Sequence, residues 1–215
     1  MKKQALLTVA FAATLLVTGC KLIKTSDYNT MAGKSGEAAD TDKISSLIKD
    51  TFDSKLVPLV SSKAVDLNAL SSALKSGLDD AGGKLGGLRI GGAGGSWNFA
   101  VKGNAKVLEV DRQSKAGAIK IDTDGDGKAD AVLQVGPVVK GTALRDFAPF
   151  YDFSQFRDQI EFAKLGRSLN EAALAKIPAL GGDLTGKTIT FSGVVALRSA
   201  SDPILVMPVT VDVAP

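Results

Sequence analysis

The run WNFAVKGNAKVLEV, from Trp97 to Val110, alternates apolar and polar side chains and holds one small residue, Gly103, near its middle. Alternation with period two marks a strand that buries one face. The run is about twice as long as an ordinary strand, and a glycine inside it predicts a bulge or sharp bend that lets one strand serve two sheet regions. Two short strands follow, Ala116 to Asp122 and Ala129 to Val135, around the turn-rich DTDGDGKAD. A helical region then runs from about Thr142 to Ile177, and two last strands, Lys187 to Leu197 and Ile204 to Val213, are joined through Ser199 to Pro203. Three strands, a helix and two strands, with a long bent first strand, is the order of an OB-like barrel: five strands in a Greek key with a helical insertion between strands three and four. A sandwich needs more strands than the chain offers. The expected class is therefore α+β, mainly β with helices, and the barrel domain occupies residues 96–215.

Upstream, the pattern changes to helical. Ile44, Leu47, Ile48 and Phe52 recur at helical spacing behind Thr41 or Asp42 as cap, which predicts an amphipathic helix ending near Pro58. Asp66 is a good N-cap for a second helix carrying Leu67, Leu70, Leu74 and Leu78 along one face. Between Gly82 and Gly95 eight of fourteen residues are glycine. No phosphate-loop pattern is present there, so a long surface loop is expected. Residues 42–95 are thus the N-terminal helices with a Gly-rich loop that precede the barrel.

The start of the chain, MKKQALLTVAFAATLLVTGC, has basic Lys2 and Lys3, an apolar run from Ala5 to Val17, and small residues before Cys20. This is the layout of an export signal, and thirteen residues are too few for a bilayer core that needs about 20. The run Val17-Thr18-Gly19-Cys20 resembles a bacterial lipobox, which implies cleavage between Gly19 and Cys20, residues 1–19 being the signal peptide, and diacylglycerol transfer to the Cys20 thiol. Polar and small residues over 20–41 read as a flexible tether, with a reach of about 25 Å for twenty residues. Lys21, where an Asp would favour retention at the inner membrane, points away from that membrane without settling which one holds the chain.

Composition narrows the chemistry. The 215 residues include one Cys and no His, which removes Ser-His-Asp and Cys-His catalysis, imidazole-containing metal sites and internal disulfides. A formal charge of +3 gives no basis for a nucleic-acid partner, and removal of Lys2 and Lys3 leaves only one more basic than acidic side chain. Attachment to the membrane therefore falls to acyl chains, each buried CH₂ contributing roughly 0.8 kcal/mol. No carboxylate pair has a context that separates a general acid from a base.

Two segments carry candidate contacts. Asp122, Asp124, Asp126, Gly127 and Asp130 match the first half of an EF-hand-type calcium loop, with Lys128 offering a backbone carbonyl. Leu133 replaces the closing Glu and the flanks are strands, so a full EF-hand is excluded; a calcium loop and a metal-free hairpin turn both stand. No other cofactor is indicated. Phe147 to Phe162 holds five of the nine phenylalanines and Tyr151, expected to glue the helix to the sheet or plug the barrel, with a sugar-stacking platform as the sharper alternative. Gly141-Thr142-Ala143-Leu144-Arg145-Asp146 supplies a turn, a Thr cap and a charge pair; Thr142, Arg145 and Asp146 are the candidate binding residues, Arg145 as an exposed contact. Of Gln159 and Glu161, one is expected to fall inside.

KAVDLNAL (63–70), the Trp97-Asn98-Phe99 start, DTDGDGKADAVLQVGPVVKGTALRDFAPF (122–150) and FSQFRDQIEFAKLGRSLNEA (153–172) resemble the uncharacterised family of predicted periplasmic lipoproteins, domain of unknown function 2291. The likeness runs from about Ile44 to Val213 and is most specific between Ala116 and Asn170. It implies an OB-like barrel behind a lipid anchor on the periplasmic side of a bacterial envelope. It further implies genes beside sugar ABC importers of the ribose and xylose type, so that importer components or a sugar-binding protein are the expected partners. It brings no catalytic residues. The resulting expectation is a non-enzymatic binding or accessory module; the alternative is a carboxylate-dependent enzyme acting on a saccharide or cell-envelope polymer.

Overall fold

In the computed structural model, which describes residues 40–90, 92–177 and 184–214, the long strand expected from the alternation is β3, Trp97–Asp111. The signal peptide, Gly19, Cys20 and the tether up to residue 39 lie outside the described residues. Phe99, Val101, Ala105 and Val107 of β3 point into one core, while Ala100 is buried on the opposite face in a second core. Burial on both faces explains why β3 is apolar at consecutive positions near its start.

β3 serves two partners. Residues 97–106 pair antiparallel with β6, Thr188–Leu197, and residues 106–111 pair antiparallel with β4, Ala118–Asp122. The hand-over is at Lys106, which faces both Asp122 and Thr188. The irregularity lies between Val107 and Glu109 and not at Gly103, which stays in register with Phe191. A Cβ at Gly103 would come within 3.2 Å of the Phe191 ring, so this glycine makes room for a core aromatic and does not bend the strand.

The barrel closes through β4 with β5 (Ala131–Gln134) antiparallel, β5 with β7 (Leu205–Val213) parallel, and β7 with β6 antiparallel. Two helices, α5 (Ala143–Phe147) and α6 (Gln159–Lys176), fall between the third and fourth barrel strands, as an OB-fold requires. Two further strand pairs, β1 (Val65–Asp66, parallel) and β2 (Leu88–Arg89, antiparallel), dock on β3.

The N-terminal helices are built into both cores. Residues 40–51 form α1, which passes through a π-helical turn, Phe52–Leu56, into α2, Val57–Lys63. The helix does not end near Pro58; a π-helical turn directly precedes the proline, which falls in the first residues of α2, and the chain continues as helix to Lys63. Ile44, Phe52, Leu56 and Val60 pack with Leu144, Phe147, Tyr151, Leu165 and Leu169 against the outer face of β3, β6 and β7. Inside the barrel, Leu67, Leu70 and Leu74 of α3 (Leu67–Leu74) join Phe99, Val101, Ile119, Ile121, Leu133 and Phe191. Asp66 caps α3 by accepting from the amides of Asn68 and Ala69. Leu78 does not continue α3; it opens α4, Leu78–Leu85. The expected Gly-rich loop is therefore helical as far as Leu85, because the bare backbone of Gly82 lies flat against Trp97, where a Cβ would meet the indole at 2.6 Å.

α1 is tied to the start of α6 by charged groups. Lys43 Nζ donates to Glu161 at 2.8 Å, and Arg157 donates through both terminal nitrogens to Asp40 at 3.0 and 2.9 Å. Among the described residues no helix is long and apolar enough to cross a membrane.

Candidate functional site

Past the end of β5 the chain turns back over the barrel rim, and four segments distant in sequence enclose an open groove of about 530 Å³. Its walls come from Gln134 and the loop Lys140–Thr142, from Ala143 and Asp146 of α5, from Ser96 with Ala196 and Arg198 where β3 begins and β6 ends, and from Asp202 to Leu205 before β7. Both rims are held by hydrogen bonds. Gln134 Oε1 accepts from the Lys140 amide at 2.8 Å, and its Nε2 donates back to the Lys140 carbonyl at 3.3 Å. Across the groove, one carboxylate oxygen of Asp202 accepts from the amides of Arg198 and Ser199 at 2.7 and 2.9 Å. The Arg198 amide is the largest reason the Asp202 carboxyl is held below the usual carboxylate range, so it is ionised at neutral pH.

Thr142 and Asp146 are in this groove; Arg145 is enclosed and is not the exposed contact expected. Its guanidinium pairs with Asp146 at 2.7 Å, donates to the Phe162 carbonyl at 3.1 Å and to Thr142 Oγ1 at 3.1 Å, and lies 3.9 Å from the centre of the Phe162 ring. Only 13% of the side chain is exposed. Arg145 is a brace that fixes the two groove residues. Thr142 occupies the N-cap position of α5, but its hydroxyl donates to Asp146 Oδ2 at 2.7 Å instead of accepting from a helix amide. Two other cations border the groove: Lys140 Nζ makes no side-chain hydrogen bond among the described residues, while Arg198 donates from Nε to Ser96 Oγ at 3.3 Å and its charge helps to lower the Asp202 carboxyl.

The acidic loop is at the opposite end of β5 from the groove, about 13 Å along the strand, so the two candidate sites are separate. Asp122, 4% exposed, accepts from the amides of Gly125 and Gly127 at 2.6 and 2.9 Å. These amides, that of Gly125 foremost, hold its carboxyl below the usual range. Oxygens of Asp122, Asp124 and Asp130 lie within 4.8 Å of one another. Asp126 is apart from that group, with its Oδ2 3.4 Å from Lys128 Nζ. Asp130 also accepts from the Thr123 amide and hydroxyl, each at 2.6 Å, and the Thr123 hydroxyl reaches Asn68 of α3 at 2.6 Å.

The aromatic segment glues helices to the sheet. Phe147, Tyr151 and Phe156 are buried in the second core, and the Tyr151 hydroxyl is 2.7 Å from that of Thr51. Phe153 alone of the five phenylalanines is openly exposed. Glu161 is the polar residue of this stretch that falls inside, at 2% exposure. Ser96, Gln134, Lys140, Arg198 and Asp202 escape sequence reasoning, because sheet closure brings them together and no local spacing does. The local signal in the sequence is the compact Ser199 to Pro203 turn, which by itself marks a connection between two strands.

An OB-fold protein from Thermotoga maritima has a similar structure, with a TM-score of 0.58 at 14% identity over 80% of this chain and 95% of that one. The likeness supports the barrel assignment alone. No curated protein matches the sequence. A family model described as predicted periplasmic lipoprotein (DUF2291) matches residues 10–212, from within the apolar leader to the last barrel strand, and the chain belongs to that family.

Proposed function

We propose that this lipoprotein is a non-enzymatic binding module, held to the envelope through Cys20, that serves a sugar ABC importer by contacting an importer component or its sugar-binding protein through the groove. The observation that carries the reading is the groove's construction: two rims pinned by the Gln134 and Asp202 side chains on loop backbone, with the cations Lys140 and Arg198 bordering the space between them. Rigid rims lower the ordering cost of an encounter, and the two cations offer charge-assisted hydrogen bonds to a partner. Binding is favoured over hydrolysis because both groove carboxylates are engaged. Asp146 is locked in its pair with Arg145, and Asp202 accepts from the Arg198 and Ser199 amides, so each carboxylate serves the structure of its own rim. The link to sugar import rests on the family resemblance. Gentle solubilisation of membranes followed by affinity purification tests it: the importer or its binding protein co-purifies with the native chain and is lost with Arg198→Glu. Purification of the native chain free of any such component overturns the reading.

A second element of the proposal is calcium in the loop Asp122–Asp130, favoured by three carboxylates that converge while one of them is held buried and ionised. Lys128 would add its carbonyl, whereas Asp126, paired with Lys128 and apart from the three, would have to turn inward to serve as a fourth carboxylate. A cation that binds only the folded state must raise Tm. The expected result is a higher Tm in calcium than in chelator, with the difference abolished by Asp124→Ala; coincident melting curves refute it.

A further inference from the structure

The loop that follows β5 is fastened at three places. The Val138 amide donates to the Lys115 carbonyl at 3.0 Å, the Gly141 carbonyl accepts from Asn170 Nδ2 of α6 at 3.1 Å, and between them Gln134 bonds both backbone groups of Lys140. Gln134 is 8% exposed, so a buried amide is committed at both its ends to one loop residue. Two hydrogen bonds from one side chain hold the peptide groups on either side of the Lys140 Cα, and with them the direction in which its side chain leaves the loop. That side chain gives the fold nothing in return. Lys140 is exposed, and its Nζ makes no side-chain hydrogen bond and no ion pair among the described residues.

The other charges of the groove show what this lysine is left to meet. Asp146 is taken by Arg145 at 2.7 Å, and Asp202 has the charge of Arg198 beside it. Lys75 borders an adjoining hollow that Asp202 also lines. Lys75, Lys140, Arg145 and Arg198 thus stand against two carboxylates, whereas the chain without its leader has a surplus of a single basic side chain. We infer that the partner brings an acidic side chain into the groove, that Lys140 pairs with its carboxylate, and that Gln134 is the residue that positions Lys140 for it. The inference rests on the groove being the contact surface, as proposed above. Arg198, oriented by its Nε bond to Ser96 Oγ at 3.3 Å, borders the same space and adds to the attraction. Because the backbone of Lys140 is already ordered, pairing restricts only its flexible four-carbon stem.

Zero-length coupling tests this. A water-soluble carbodiimide joins an amine to a carboxylate in contact with it, forming an amide and leaving as its urea. Membranes carrying the full chain are treated with it, gently solubilised and affinity-purified, and the digest is read by mass spectrometry. The expected product is a branched peptide that links Lys140 Nζ to an Asp or Glu of the partner. Lys140→Arg keeps the charge and removes the reactive amine, so the partner is still recovered and the branched peptide is lost. Lys140→Gln lowers recovery about tenfold, and high salt lowers recovery with the native chain. Gln134→Leu lowers it too but adds nothing in the Lys140→Gln background, because its effect passes through Lys140; an additive loss refutes the positioning role. The Lys140 variants, on an exposed loop, test the pairing whether or not Gln134→Leu folds. Equal recovery with Lys140→Gln and with the native chain overturns the inference while the groove reading stands. Coupling of Lys140 to Asp146 or Asp202 of its own chain overturns it as well, since the lysine then serves its own groove. A native chain that recovers no partner fails the groove reading itself, and the inference with it.

Discussion

Glu161 sits in the first turn of α6 with 2% of its surface exposed and accepts from Lys43 Nζ of α1 and from the Arg157 amide. The Lys43 bond, then the Arg157 amide, hold its carboxyl below the usual glutamate range against the opposing effect of burial. Because the folded value is lowered, the contribution is fully present at neutral pH. It is lost as pH falls from about 4.5, the ordinary glutamate value, through the lowered one. Glu161→Gln keeps the shape and removes the charge, at a cost of about 1–2 kcal/mol near pH 7. Melting of both proteins across pH 3–7 checks this: the Tm gap is widest at neutral pH and closes in acid, and a gap that persists unchanged at low pH contradicts the assignment. Arg145 shows the other side of residue-scale reading. A charged residue beside a turn looks like a contact, but Phe162, seventeen positions on, captures its guanidinium, and no local pattern announces that.

Among elements, β6 and β7 meet through an irregularity at Ser192 and Gly193, where Val206 and Val211 face the barrel interior while Met207 and Val209 face the helices. Gly193 permits this crossing: an added Cβ would stand 2.5 Å from the Met207 carbonyl oxygen and 2.8 Å from Pro208 Cα, both backbone atoms that cannot swing aside. Gly193→Ala is expected to destabilise by about 1–3 kcal/mol, seen as a lower urea midpoint with an unchanged slope. The five barrel strands and the cap of α3 were legible, because period-two burial and Asp at an N-cap are local signals, whereas Asp158, which caps α6, lies inside a stretch that reads as one helical region. What stayed hidden was decided by distant contacts. α4 forms through glycines that disfavour a helix because Trp97 packs on Gly82, and β1 and β2 are two residues each, too short for any period. The bulge beside Val107 carries no glycine to mark it, whereas Gly103, which looked like the mark, serves Phe191. At the candidate site, Thr142 and Asp146 could be picked from a turn signal, while Ser96, Gln134 and Arg198 required the closed sheet.

At the scale of the molecule, a lipoprotein leader, an OB barrel and a groove at its rim combine into a module that works close to a membrane. The helices of residues 40–85 bury the outer face of β3, β6 and β7 and part of the barrel interior, and the rim between the Lys140 and Asp202 loops stays open as a concave surface. Site-specific photo-crosslinking in intact cells tests this directly, with a photoreactive residue at Ala196, which lies in the groove, or at Lys128 in the acidic loop. The account predicts an adduct with an importer component or its sugar-binding protein from position 196. That adduct is absent from position 128 and disappears in a Cys20→Ala background that leaves the chain unanchored. Equal labelling from both positions, or no adduct from 196 in acylated protein, would contradict it.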